Sequence, residues 1–286
     1  MSNWPLGVIS SAGGGASGFG LYSWGLNSSG ELGHGGTTSV SSPVQIGTDE
    51  DWVNAQCGMF YTIAIRNNGT LWGFGKNNVG QLGDNSTTVR SSPVQIGSDE
   101  DWLDAVLSPN QYNCSVVKAD GTLWTWGEDD DGANGDGGGD VTRSSPIQIG
   151  SDTNWKEPFG CSGNTGGCLK TNGELYGWGN VTGGGWANFE QGTPTTALSP
   201  DIYENEPGGG GDTDWQGDHR IRGNTGGGNG HNGTVKSSGN KLYMWGNNEA
   251  GELGNGNTTR INSPIQISGS WYRVGTGVKH TVALKN

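Results

Sequence analysis

A five-residue string recurs five times along this chain of 286 residues, and no other feature narrows the possible folds as much. It reads Leu21-Tyr-Ser-Trp24-Gly25, Leu71-Trp-Gly-Phe74-Gly75, Leu123-Trp-Thr-Trp126-Gly127, Leu175-Tyr-Gly-Trp178-Gly179 and Leu242-Tyr-Met-Trp245-Gly246, with glycine-to-glycine steps of 50, 52, 52 and 67 residues. Three further pieces keep step with it. A turn follows in Asn27 to Gly33, Asn77 to Gly83 and Asn248 to Gly254. An apolar Pro-x-Gln-Ile segment follows at Pro43, Pro93, Pro146 and Pro264. A polar step then leads into Trp52, Trp102, Trp155, Trp215 and Trp271. A period of about 50 residues with several short apolar segments per unit is the signature of a β-propeller.

Side chains alternate along a strand, so each anchor string carries two aromatics on one face and Leu plus a small residue on the other. Trp24, Phe74, Trp126, Trp178 and Trp245 anchor the aromatic faces; Ser23, Gly73, Thr125 and Gly177 flatten the opposite ones. A unit of this size cannot bury both faces alone. Side-by-side stacking predicts that the aromatics of one unit, each covering roughly 150–250 Å², fill the space over the next. Proline at the head of each Pro-x-Gln-Ile segment predicts an outer edge strand, where its missing N–H costs no ladder bond.

The order Trp…Gly…Thr-x-Ala…Gly-x-Leu-x-x-Trp-Gly-x-Asn…Gly-x-Leu-Gly…Pro resembles the repeat named after the regulator of chromosome condensation, most fully from Trp52 through Pro93. Trp271 to Lys285 shows its first half, including His280-Thr281-Val282-Ala283-Leu284. The resemblance covers most of the chain and implies an all-β propeller of RCC1-like repeats. It also implies a ring tied shut by pairing between the two ends of the chain. On that basis residues 1–15 are an N-terminal arm and 16–286 a single propeller. The expected blades are 52–101, 102–154, 155–214, 215–270 and a composite of 271–286 with 16–51. Five blades depart from the seven of the namesake. The rival register starts the first blade at Trp4 and leaves the C-terminal half repeat to pair with another subunit.

The chain has 15 Lys+Arg against 28 Asp+Glu, a formal charge of −13. That balance disfavours DNA phosphates, whose binding rests on Lys and Arg. No apolar run approaches the roughly 20 residues of a membrane helix. Met1 to Gly20 lacks a basic start and apolar core, so no ordinary signal peptide is expected. The 57 glycines invite a disordered reading, which the 13 periodic tryptophans oppose.

Few residues suggest chemistry. Glu128 to Asp136 looks like a calcium loop, but a register from Asp130 puts Gly132 third and Val141 twelfth, where Glu is required, and the stretch aligns with the ordinary turn. The acidic steps at Asp49, Asp51, Asp99, Asp101, Asp152, Asp212 and Asp214 read as repeated turns, or as a rim of carboxylates that attracts cations and basic partners. Cys57, Cys114, Cys161 and Cys168 lack zinc spacing; Cys161 and Cys168 could bridge a hairpin, and free thiols are the expectation. His231 and His280 share the slot of Tyr61 and are expected to pack. Gly13-x-Gly15-x-x-Gly18 leads into a strand instead of a helix, so it offers no dinucleotide site. The Asn-x-Ser/Thr triplets, such as that at Asn68, read as products of turn chemistry. No cofactor, metal site or catalytic set is expected, and the chain is read as a non-enzyme.

The longer stretch between Gly179 and Trp215 is the expected variable, binding loop. Trp186, Phe189 and Tyr203, with Glu204 and Glu206, are its candidate contact residues. Acidic, Gly/Asn/Thr-rich propellers similar to this one occur among bacteriophage and bacterial proteins. The expected function is therefore a structural or interaction protein of a phage particle, decorating capsid or tail or touching a host surface. Its partners would be other virion proteins or a host receptor, which a glycan could supply, and homo-oligomers or symmetric assembly would fit. The alternatives are a lectin-like propeller and, behind it, a guanine-nucleotide exchange or chromatin-binding factor. The location expected is the virion, or otherwise a soluble state.

Overall fold

Every anchor string forms a strand, and every such strand is third in a four-stranded antiparallel sheet. The computed structural model describes residues 18–103, 106–109, 112–160, 165–172, 174–179, 195–196, 215–216, 231–236, 240–277 and 279–285. Strands β1 (Gly20–Gly25) and β2 (Val40–Gln45) complete a sheet with β19 (Trp271–Thr276) and β20 (His280–Lys285) in the order β19-β20-β1-β2. The second sheet holds β3 (Trp52–Cys57), β4 (Tyr61–Arg66), β5 (Leu71–Gly75) and β6 (Arg90–Gln95). The third holds β7 (Val106–Pro109), β8 (Asn113–Val117), β9 (Leu123–Gly127) and β10 (Arg143–Gln148). In the fourth are β11 (Trp155–Gly160), β12 (Thr165–Lys170), β13 (Leu175–Gly179) and β14 (Thr195–Thr196). In the fifth are β15 (Trp215–Gln216), β16 (His231–Lys236), β17 (Lys241–Gly246) and β18 (Ile261–Ile267). The third sheet starts later than the tryptophan step suggested: Trp102 precedes β7. No helix among the described residues is long and apolar enough to cross a membrane.

Strand β20 runs between β19 and β1, with pairs from Gly20↔Lys285 to Gly25↔His280. One sheet thus joins the last described residues to the first. Trp4, the alternative start of that sheet, lies outside the described residues. Around the propeller β16 packs on β19, β19 on β3, β3 on β7, and β7 and β8 on β11.

The cores lie between sheets, as stacking requires. One combines Ile63, Leu71, Leu82 and Ile96 with Trp102 and Trp126 of the next sheet. Another sets Leu21, Ile46, Val282 and Leu284 against Trp52 and Phe74. The third and fourth repeat the arrangement around Trp24 with Trp271 and around Trp155 with Trp178. Trp24, Phe74, Trp126 and Trp178 are wholly buried, whereas the fifth anchor, Trp245, is only partly so.

Four of the five anchor rings, those of Trp24, Phe74, Trp126 and Trp178, lie on the turn of the preceding unit. Trp24 Nε1 donates to the Glu252 carbonyl at 2.8 Å, Trp126 to Gln81 at 2.9 Å, and Trp178 to Ala133 at 2.8 Å. The last glycine of each turn is the platform. At Gly83, with φ +77°, a Cβ would stand 2.8 Å from Trp126 Nε1, so only glycine permits both the left-handed backbone and the close ring. The second sheet departs from this pattern, because Phe74 has no N–H for the Glu31 carbonyl. That oxygen receives the Thr62 hydroxyl at 3.1 Å, while the matching Glu252 carbonyl receives both Trp24 and Thr281. Phe74→Trp should therefore add one buried hydrogen bond, worth about 1 kcal/mol, and raise the urea midpoint; an unchanged or lower midpoint would show that the slot is too small for indole.

The proline segments form the outer edges, and Val44 in β2 is 41 % exposed. Neighbouring turns cap these edges: Gly35 N–H donates to Ser91, Asn85 to Ser144 and Gly256 to Ser41, each at a carbonyl. Pairing of these strands with foreign strands is thereby discouraged.

Candidate functional site

The most repetitive chemistry in the molecule is a cation held between two aromatic rings and capped by aspartate. Arg66 lies 4.5 Å from the Trp52 ring and 4.3 Å from Trp72. Lys118 lies 4.1 Å from Trp102 and 4.3 Å from Trp124; Lys170 lies 4.5 Å from Trp155 and 4.3 Å from Tyr176. These are cation–π distances. Arg66 pairs with Asp49 (2.8 Å) and Asp51 (3.3 Å), Lys118 with Asp101 (2.7 Å) and Asp99 (3.9 Å), and Lys170 with Asp152 (2.5 Å). Burial alone would lower the Lys170 pKa, but its bond to Asp152 raises it on balance.

Of the two readings of the acidic steps, repeated turns or a rim of carboxylates open to outside cations, this arrangement counts against the second. Asp49, Asp51, Asp99, Asp101 and Asp152 each face a cation of the following unit; Asp212 and Asp214 lie outside the described residues. The cations also cover the second aromatics, Trp72, Trp124 and Tyr176, against which a sugar would have to stack.

The starts of β4, β8, β16 and β20 form a second repeated feature. His231 Nε2 is 2.8 Å from Thr281 Oγ1 and His280 Nε2 is 3.4 Å from Thr62 Oγ1. Both hydroxyls are already donating, to Glu252 and Glu31 carbonyls, so each imidazole supplies the Nε2–H. Tyr61 Oη donates to the Asn113 carbonyl at 2.5 Å, and Asn113 Nδ2 to Ala133 at 3.1 Å. These bonds tie one sheet to the next. Burial, helped by nearby His231, pushes His280 down to about 3. A neutral imidazole sealed from solvent is a structural donor, which agrees with the packing role read from its slot. Cys57, Cys114 and Cys168 are buried, and burial pushes the Cys57 thiol up to about 12, far from a reactive thiolate. Cys161 lies outside the described residues.

The calcium-like segment is an ordinary turn with one anomaly. Asp130–Gly132 makes a 3-10 turn, and Asp136 pairs with Arg143 at its Oδ2. Asp129 occupies the slot of Asn27, Asn77 and Asn248. Its Oδ1 accepts from the Asn134 N–H at 2.6 Å, but its Oδ2 is buried without a partner. Burial raises its carboxyl to about 6. Among the described residues no group of three or more His, Cys, Asp or Glu is placed to hold a metal ion. Asn68 closes its turn by accepting from the Thr70 N–H and hydroxyl.

An open groove of about 500 Å³ lies beside the Arg66 station, between the sheet that joins the chain ends and the second sheet. His34, Val44, Gln45, Asp49, Trp72 and Pro93 line it. His34 donates from Nε2 to Ser23 Oγ at 2.9 Å, since that hydroxyl gives its proton to Leu32, and burial lowers its pKa. Arg66 Nε is a buried donor without an acceptor here. His34 replaces Asp84 and Asp136 of the other turns, a difference the repeat register exposes but sequence reasoning passed over. The candidate contact residues Trp186, Phe189, Tyr203, Glu204 and Glu206 all lie outside the described residues.

Comparison with known proteins agrees with this architecture. Residues 20–65, 68–107 and 240–284 match the family described as Regulator of chromosome condensation (RCC1) repeat. The human E3 ubiquitin-protein ligase HERC2 is 25% identical over 135 residues, which are 44% of this chain and 3% of that protein. This chain therefore spans only a small fraction of that relative. Among solved structures, Prp20p from Saccharomyces cerevisiae superposes with a TM-score of 0.68 at 13% identity, covering 94% of this chain and 92% of that one. Human WBSCR16 gives 0.55 at 23% identity, over 94% of this chain and 68% of that one. With its anchor strings, stacked sheets and shared strand, this protein is a β-propeller built of repeats of the regulator of chromosome condensation type.

Proposed function

We propose that this propeller is a non-enzymatic interaction module, and that it serves as a structural component of a phage particle, on capsid or tail or at the host surface. The observation that carries the interaction reading is how the reactive groups are spent. His231, His280, Lys118, Lys170 and the aspartates paired with these lysines serve packing within or between sheets, which leaves loops and rims for contact. Propellers of this repeat type also bind proteins: Prp20p is described with binding properties to Gsp1p and histones, and yeast RCC1 (Prp20) is solved with Kap60 bound to it. The particle assignment draws support from the acidic, glycine-rich composition. It is tested by mass spectrometry of purified particles from the source. A fixed copy number supports the assignment; a protein found only outside particles overturns it.

The groove beside Trp72 favours one second reading, a carbohydrate-binding propeller. Because Arg66 covers the Trp72 ring, recognition there would rest on the polar lining, and this reading predicts glycan-array binding that falls at least tenfold in Gln45→Ala.

A further inference from the structure

The opening tryptophan is kept in all five units, but the residue after it never repeats: Val53, Leu103, Lys156, Gln216 and Tyr272. In three sheets the ladder slips at this residue. Trp52 pairs with Arg66 but Asn54 with Ile65, and the same shift recurs after Trp155 and Trp271. The extra residue is a β-bulge, which re-aims side chains at the start of the strand. In β19 it breaks the alternation of faces, so that Tyr272 and Arg273 are exposed in succession. The first strands of successive sheets pack on one another, β19 on β3, β3 on β7 and β7 on β11, so the bulges lie on the inner side of the propeller.

Tyr272 has a partner that the repeat does not supply. The Phe19 carbonyl accepts the Trp52 N–H at 3.2 Å, as Gly69 accepts from Trp102 and Gly121 from Trp155 at 3.1 Å. A Cβ on Gly69 or Gly121 would collide with the carbonyl oxygen of Glu100 or Thr153, so those hairpins admit no side chain. In the shared sheet β20 and β1 come from opposite ends of the chain, without a hairpin, and the slot holds a phenyl ring. Phe19 stacks on Tyr272 with ring centroids 4.2 Å apart and planes within 13°, and it packs on the core that holds Trp52 and Phe74. Tyr272 is thereby fixed in orientation yet 36 % exposed, and it is the one aromatic among the exposed large apolar side chains of the described residues. Its neighbour on the bulge, Arg273, donates from Nη1 to Asn54 Oδ1 of β3 at 2.7 Å. That bond uses one of the five N–H donors of the guanidinium.

We propose that Tyr272 and Arg273 form a binding site for an uncharged pyranose of a glycan. The C–H face of the sugar lies on the tyrosine face that Phe19 leaves open, and its hydroxyl oxygens accept from the guanidinium. A pyranose is apolar on its face and hydroxylated at its rim, which matches a flat apolar ring with polar donors placed next to it. Stacking on Phe19 and the bond to Asn54 order both side chains before the ligand arrives, so little rotamer entropy is lost on binding. The net charge of −13 favours a neutral sugar over an acidic one. The inference rests on the carbohydrate reading for its ligand class but not on the groove at Gln45, which is a separate site.

The test is an array of neutral and acidic glycans probed with the whole chain and four variants, each checked for folding by circular dichroism. The expected result is a set of neutral glycans whose binding falls at least tenfold in Tyr272→Ala and at least threefold in Arg273→Met. The same glycans should stay within threefold of the wild type in Tyr272→Phe, which keeps the ring, and in Gln45→Ala, which alters only the groove. Glycans that all bind undiminished to Tyr272→Ala overturn this site and leave the carbohydrate reading standing. Equal loss in Tyr272→Phe and Tyr272→Ala overturns the stacking, and binding confined to acidic glycans overturns the neutral class. No glycan bound by the wild type overturns the site and the carbohydrate reading together.

Discussion

Deletion of Thr281–Asn286 is expected to leave a chain that no longer folds cooperatively, or melts more than about 15 °C lower. The segment removes most of β20, which lies between β19 and β1. Val282, Ala283 and Leu284 are buried, and Val282 and Leu284 belong to the core shared with the second sheet. Burial of the two larger side chains is worth about 1.5–3 kcal/mol each. Their loss, with both ladders, rivals the 5–15 kcal/mol that stabilises an ordinary domain. Thermal unfolding by circular dichroism is the measurement. An unchanged melting temperature would mean that the shared sheet does not close the propeller. A circular permutant that links Asn286 to Gly18 and opens a loop elsewhere should fold, because it keeps every strand pair.

Asp129→Asn is expected to stabilise the protein by about 2 kcal/mol at pH 7, relieving a buried, half-unpartnered charge, and to raise the melting temperature by roughly 4–8 °C. The repeat itself supplies the precedent. Asn27, Asn77 and Asn248 use Oδ1 to accept from the N–H five residues on. They use Nδ2 to donate to carbonyls nine and eleven residues on. Asp129 keeps the first bond and cannot make the others. The amide would find the carbonyls of Gly138 and Asp140 in the corresponding places.

The substitution should also change the pH profile. Folded Asp129 takes up its proton near 6, whereas an unfolded aspartate does so near 4. Between those values the folded state holds more protons, and stability rises as pH falls. His280 works in the opposite sense. Its folded value is about 3 and its unfolded value about 6.5, so stability falls by about 1.4 kcal/mol per pH unit over that window. Glu31 and Glu252, raised by burial, act in the same sense as Asp129 and are common to both proteins. Urea midpoints from pH 7 to 4 should therefore be flatter for the wild type than for Asp129→Asn. Parallel profiles would show that Asp129 is not the buried acid described.

Much of this fold could be read from residue spacing. The anchor strings became the third strand of each sheet, the Pro-x-Gln-Ile segments the outer edges, and the half repeat at His280-Thr281 the strand beside β1. Such features are local and repeated five times, so alternation and turn chemistry reinforce one another in each copy. The partners of the polar side chains were not legible. The acidic steps read as repeated turns, with an open rim as the alternative, because nothing in Asp99-Glu-Asp101 announces that Lys118, 17 residues from Asp101, will pair with it. The turn at Asp129 read as an ordinary solvated turn, because the burial of its aspartate depends on the packing around it. The irregular Gly179–Trp215 stretch, chosen for contact residues, breaks the period on which the reading relied.

The sequence by itself determined the architecture: aromatic-and-flat units at a period of about 50 residues have one economical way to bury both faces, as sheets stacked side by side. The tertiary structure alone decided which charges meet. Arg66, Lys118, Lys170 and Lys285 occupy one slot in the repeat, yet the first three pair with aspartates of the preceding unit, while among the described residues Lys285 makes no ion pair. Ion pairing depends on distances of a few ångströms between segments that the chain holds apart and folding brings together.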